Sequence, residues 1–177
     1  MACLATSYYG IYVYIVDEFK KIEEALKLQL VISTGLTLAL IHIAAIMTLP
    51  DSWNFTYNDE AKVGTPWYAT VSVSMGLISG LIIGYSTDYY TSNSHEPVQE
   101  MAKECSSGPA INIINGLALG YKSNTVPILL LAATIIVSMN LLGLFGVALA
   151  AIGMLSTLCV GLAIDAYGPI SDNAGGS

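Results

Sequence analysis

The sequence predicts an all-α membrane protein, a polytopic bundle of transmembrane helices, on three observations. Hydrophobic types make up 54% of the 177 residues and charged types only 11%, against about 25% charged in an ordinary soluble domain. Mean hydropathy is +0.64, more apolar than a soluble fold of this length can cover with polar surface. The few charges are also gathered, leaving long runs without any, and a bilayer core of about 30 Å needs roughly 20 apolar helical residues. Net charge is −7 and every cation is a lysine. These properties exclude a soluble enzyme, a basic nucleic-acid binder and a disordered tail. Cys3, Cys105 and Cys159 are odd in number and widely spaced, which fits neither a disulfide framework nor a metal motif.

Residues 1–16 are apolar and tyrosine-rich, yet shorter than the roughly 17 that a span requires. They lack the basic start and small-residue cleavage site of a signal peptide. A truncated N-terminal span is expected there, followed by a loop over 17–27. Four full spans follow. The first, 28–49, carries no acid or lysine and is closed by Pro50 and Asp51. A polar stretch over 51–64 holds Trp53, Phe55 and Tyr57 as interface aromatics. The second span, 66–87, begins at Pro66, a natural first helical residue. The polar loop 88–109 contains a short surface helix at 97–104. The apolar part of the next segment, 126–139, is too short to cross alone, so the third span is predicted over 111–139 with Lys122 inside the membrane. Asn140 and Gly143 offer a turn into the fourth span, 141–167. Both ends of the chain are expected to continue in the native protein.

Lysine placement sets the orientation. Lys20, Lys21, Lys27 and Lys103 fall on one side and Lys62 on the other, which puts loops 17–27 and 88–109 and the C-terminus in the cytoplasm.

Few residues suggest chemistry by type and spacing. Gly76, Gly80 and Gly84, extended backward by Ser72, form a small-residue ridge for close helix packing, and Gly116 with Gly120 is a weaker one. On the last span, Gly153, Thr157, Gly161 and Asp165 share a face, and Asp172 lies on the same stripe about two turns on. Pro169 has no N–H to give the Asp165 carbonyl, so a kink or hydrated gap is expected there. Such a stripe suits a cation-holding helix tip, but on the residues alone the plainer alternative, the polar end of an ordinary span, weighs more. Lys122 and His42 are ionisable groups inside spans, where charge is costly and often functional. Against that, lysine can snorkel and neutral histidine needs one hydrogen bond. His95, Glu96, Glu100 and Glu104 form a solvated acidic helix rather than a metal site. No P-loop, nucleophile elbow or zinc spacing is present.

The stretch GLAIDAYGPISDNAGG at 161–176 resembles the membrane-integral, ion-pumping inorganic pyrophosphatases, the plant vacuolar proton pumps most of all. GLISGLIIGYSTDYYTSNS at 76–94, NGLALGYKS at 115–123, GMLST at 153–157 and ALKLQLVIST at 25–34 extend the resemblance over most of the chain from about residue 25. It implies part of a homodimeric pump of about sixteen helices per subunit, which couples hydrolysis of magnesium pyrophosphate to proton transfer across a vacuolar or other acidic-compartment membrane. It also implies that Asp172 is a ligand of the Mg2+ cofactor and Asp165 a possible catalytic acid, with no nucleic-acid partner. The family's main acid-rich motif is absent from this chain, as are an asparagine ligand and the acids and lysines of the last helices. The chain by itself is therefore expected to be inactive. The rivals are a secondary-transporter segment using Lys122 as its substrate site, and a small non-enzymatic polytopic membrane protein.

Overall fold

The computed structural model describes residues 4–6, 8 and 22–176, apart from the side chains of Glu23 and Ile164. The expected span over 1–16 lies mostly outside the described residues. Within it Leu4, Ala5, Thr6 and Tyr8 are helical, and the Thr6 carbonyl accepts a hydrogen bond from Gln29 Nε2 at 3.4 Å.

Helix α1, Ile22–Thr48, is 27 residues long, about 40 Å at the usual rise. A β-hairpin follows, β1 at Trp53–Tyr57 and β2 at Glu60–Gly64, paired antiparallel with Tyr57 opposite Glu60. Its two turn residues, Asn58 and Asp59, have φ of 53° and 61°, the left-handed pair that a two-residue hairpin turn needs. The polar stretch was expected only as a loop with interface aromatics. The alternation in Trp53, Phe55 and Tyr57 ahead of Asn58-Asp59 was the signal for strands.

Helix α2, Pro66–Thr91, starts with Thr65 accepting the Tyr68 N–H at 3.3 Å and with Pro66 in its first turn, which satisfies one orphan donor and removes another. Helix α3, Glu96–Glu104, carries Glu96 in its first turn and Lys103 in its last, matching the helix dipole. A 3-10 turn at Cys105–Ser107 and Gly108, at φ 119°, lead into α4, Pro109–Ser123.

Helix α5 spans Thr125–Leu155, but Gly143 inside it stands at φ 61°, ψ −145°. A Cβ placed on Gly146 would strike the Ser138 carbonyl. In a straight helix those residues would lie about 12 Å apart, so the chain folds back at Gly143 into two legs, 125–142 and 144–155. The β-hairpin closes this bend. The Tyr57 ring lies against Gly143, its hydroxyl donates to Met139 Sδ at 3.2 Å, and Lys62 Nζ sits 5.5 Å from the ring centroid. After a break at Ser156 and Thr157, α6 runs Leu158–Gly175 with Pro169 inside it.

Three stretches, 24–48, 66–107 and 109–175, have the length and apolar character to cross a membrane. The third, of 67 residues, would be about 100 Å long if straight, and the bend at Gly143 resolves it into two legs. Both pack on α2. Gly76 lies against the Ala150 carbonyl and Gly153 against the Val73 carbonyl, so closely that a Cβ at either would overlap backbone. Gly80 faces Met154 in the same parallel register. On the first leg, Thr134 Oγ1 and Ser79 Oγ share a buried hydrogen bond of 2.6 Å.

That bond fixes a register and corrects one expectation. The first leg runs antiparallel to α2, so counting ten residues from Thr134 and from Ser79 brings Asn124 level with Tyr89, near the end of α2. Lys122 therefore lies at that end, and the single helix expected over 111–139 is broken beside it at Asn124. The leg 125–142 is about 27 Å long, close to the bilayer core on its own. The predicted helices 111–139 and 141–167 are each interrupted, the first beside Asn124 and the second at Gly143 and again at Ser156–Thr157.

We expect Gly76→Ala to destabilise the protein by about 1–3 kcal/mol, the usual cost of overpacking. Gly35 has open space where its Cβ would be, so Gly35→Ala should raise stability by about 0.5–1 kcal/mol. Thermal unfolding in matched detergent checks the pair; equal shifts would contradict the backbone contact at Gly76.

Candidate functional site

One end of the bundle collects charge from four separate elements. Lys27 lies one turn into α1, and Asp88 one turn before the end of α2. The lysine Nζ is 2.7 Å from Asp88 Oδ2, with about a third of each side chain exposed. The same oxygen is 3.3 Å from His95 Nε2. His95 is the N-cap residue of α3, yet its side chain makes no capping bond. The ring is turned toward Asp88 and lies 5.2 Å from the Tyr89 ring.

Asp165 reaches this layer from α6. A cavity of about 300 Å³ opens between α1, α2 and α6, and Lys27, Tyr85, Asp88 and Asp165 line it together with Gly84 and Gly161. Added Cβ atoms at those two glycines would meet nothing, so their small size leaves the recess open. Asp88 from α2 and Asp165 from α6 thus share one recess. The cavity is apolar except at its charged rim. Asp165 is itself exposed on α6, so solvent reaches the charged rim and screens the interactions there.

The sequence-predicted residues fall in different places. Asp165 lines the cavity. Asp172 is exposed on α6, two turns beyond Asp165 and about 10 Å further along the axis; its carbonyl accepts the Gly176 N–H at 2.9 Å. Pro169 sits within a continuous helix, so the proline that withholds a donor from Asp165 does not end α6. His42 packs edge-on against Trp67, with ring centroids 6.0 Å apart, beside an apolar groove far from the charged layer. Lys122 lines a separate groove with Glu96, Glu100 and Glu104, and Glu104 bonds Asn115 Nδ2 across it. The acidic helix thus packs along α4 and faces a lysine, while His95 leaves the acidic group for Asp88.

Lys27 and Asp88 were not singled out by the sequence. Each borders an apolar run, and the lysine count already put both run ends on one side of the membrane. Their juxtaposition was legible as topology, though not as contact.

Among the described residues, no three His, Cys, Asp or Glu side chains gather in a group able to hold a metal ion. Magnesium is commonly bound through one or two carboxylates plus water and substrate phosphate oxygens. Asp172, exposed and carrying hard oxygens, fits as one such ligand and does not form a site by itself.

Comparison with known proteins decides the family. The profile of inorganic H+ pyrophosphatase matches residues 1–177. The chain belongs to this family. Among similar proteins, a putative K(+)-stimulated pyrophosphate-energized sodium pump of Bacteroides thetaiotaomicron is 44% identical over 120 residues, covering 62% of this chain and 16% of that protein. A K(+)-stimulated pyrophosphate-energized sodium pump of Thermotoga maritima is 43% identical, over 63% of this chain and 15% of its own length. A K(+)-insensitive pyrophosphate-energized proton pump of Caldanaerobacter subterraneus is also 43% identical, over 59% of this chain and 16% of its own length. The chain thus spans about a sixth of the length of the pyrophosphatase relatives it matches.

If Lys27 and Asp88 act as a pair, Lys27→Met and Asp88→Asn should be non-additive in stability, with a coupling of about 1 kcal/mol. A double-mutant cycle by thermal or denaturant unfolding measures it, and additivity would show that the pair contributes nothing.

Proposed function

We propose that this chain is a stretch of a membrane pyrophosphatase in which hydrolysis of magnesium pyrophosphate at the lysine-rich end drives proton transfer across the bilayer. The observation that carries the proposal is the family match over the whole chain. Support at the residue level comes from Asp172, an exposed carboxylate on the helix whose sequence most resembles the pumps. The lysine-rich end is the cytoplasmic one on the lysine count, so the C-terminus faces the cytoplasm and the substrate arrives from there. The membrane is that of a vacuole or another acidic compartment, and the complete pump is a homodimer.

Pyrophosphate is a dense anion, and Mg2+ when bound neutralises it and polarises its phosphoryl oxygens. In this proposal Asp172 supplies one oxygen ligand and orients the ion beyond the membrane end of α6. Asp165, two turns closer to the membrane, is the candidate acid of the same helix and holds its carboxylate in the recess with Lys27 and Asp88. The glycines at 84 and 161 leave space beside it for water.

Sodium is the second possible cargo, because two of the relatives above are named sodium pumps. Dye-reported acidification against radiolabelled sodium uptake in proteoliposomes separates the two, and this proposal expects acidification.

One magnesium ligand is too few for catalysis, so the 177 residues alone should not hydrolyse pyrophosphate. In the full-length pump, Asp172→Asn should lower Mg2+-dependent hydrolysis by about 100-fold or more, the scale of losing one well-placed electrostatic group. Phosphate release checks both statements. Hydrolysis by the isolated chain would refute the first, and near-normal turnover in the variant the second.

A further inference from the structure

We propose that His95 is an acid-sensitive tether, which fastens α3 to the charged end of α1 and α2 through Asp88. It does not rest on the pump chemistry proposed above. The geometry is specific. His95 occupies the cap position of α3 but does not cap it; its Nε2 instead approaches Asp88 Oδ2 at 3.3 Å, the oxygen already held by Lys27 at 2.7 Å. A carboxylate can only accept, so Nε2 carries the hydrogen in this contact.

Nδ1 is the atom that takes up a proton from solvent. When it does, Asp88 becomes the shared partner of two cations, and the His95 contact becomes charge-assisted. The charged groups around the ring come from several elements. Asp88 and the Tyr89 ring face it from α2, Lys27 from α1, and Glu96 from the first turn of α3. Asp165 stands across the Asp88 cavity on α6, and Lys122 on α4 lies beyond Tyr89 in the neighbouring groove.

The backbone around His95 transmits the effect. Its N–H bonds the Ser92 carbonyl at 3.3 Å, and its carbonyl accepts the Gln99 N–H at 3.3 Å. The Gln99 side chain in turn donates to the Asn93 carbonyl at 3.1 Å. A ring fixed on Asp88 therefore fixes the turn 92–95 and the first turn of α3 together. An unprotonated ring, holding a weaker bond to an oxygen that prefers Lys27, lets this connection open more often. The chain has two histidines, and the other, His42, is in the apolar groove against Trp67, so a response in the imidazole range at residues 92–99 is assignable to His95.

The test is backbone hydrogen exchange of residues 92–99 in the full chain in lipid nanodiscs, corrected for the intrinsic pH dependence of exchange. Protection should be at least about threefold greater near pH 5.5 than near pH 7.5, the effect of one strengthened charge-assisted bond. His95→Gln keeps a donor and removes the titration, so protection should become independent of pH. Asp88→Asn keeps the histidine and removes the charge it binds, and should also abolish the pH effect. A flat profile in the unmodified protein, or a pH effect that survives in either variant, would overturn the proposal.

Discussion

The arrangement depends on one contact, the approach of α2 to the returning leg of α5 with no side chain between them. Apolar side chains gain little by leaving lipid for another helix, so association within a bilayer rests on close packing and interhelical polar bonds. Gly76 and Gly153 provide the first by presenting bare backbone to the Ala150 and Val73 carbonyls. Ser79 and Thr134 provide the second, a hydrogen bond sealed from solvent. Some hydroxyls on α1 and α2 bond back to their own helices, as Thr34 does to Leu30 and Ser72 to Tyr68, whereas those of Ser33, Thr37 and Ser86 are buried without a hydrogen-bond partner.

From that contact the remaining geometry follows. Two legs can pack on one helix only if the chain reverses, and reversal falls at Gly143, the residue able to hold φ of 61° without a side-chain penalty. The β-hairpin caps the reversal with Tyr57. At the opposite end, Asp88 and Asp165 line one recess, and Lys27 closes it from α1. A charged layer with parts from well-separated stretches of sequence is thus positioned by apolar contacts more than two turns away.

Much of this was legible. The long charge-free runs marked the membrane, the glycine ridge on α2 marked its packing face, and Asn140 with Gly143 marked a turn. Failures came where a local rule met a longer-range constraint. Counting apolar residues joined 111–139 into one helix, because a leg ending at Met139 looked too short. In the structure the leg runs to Leu142, and the Ser79–Thr134 bond sets its depth. The hairpin was hidden by its polar composition, although its aromatic alternation was present. His95 was grouped with its acidic neighbours in sequence, while its contact lies seven residues back at Asp88. The role proposed for Asp172 comes from resemblance rather than from residue spacing, since one exposed carboxylate on a helix tip carries no chemical signature of its own.

The most direct test of this architecture is a disulfide across the Ser79–Thr134 contact. With Cys3, Cys105 and Cys159 replaced by serine, Ser79→Cys and Thr134→Cys should bridge on mild oxidation in the membrane, since the two oxygens are 2.6 Å apart. Cleavage at Lys103, which lies between them, would then leave two fragments migrating together until reduced. Fragments that separate without reductant would contradict the register, and with it the bend at Gly143, the level of Lys122 and the meeting of Asp165 with Asp88.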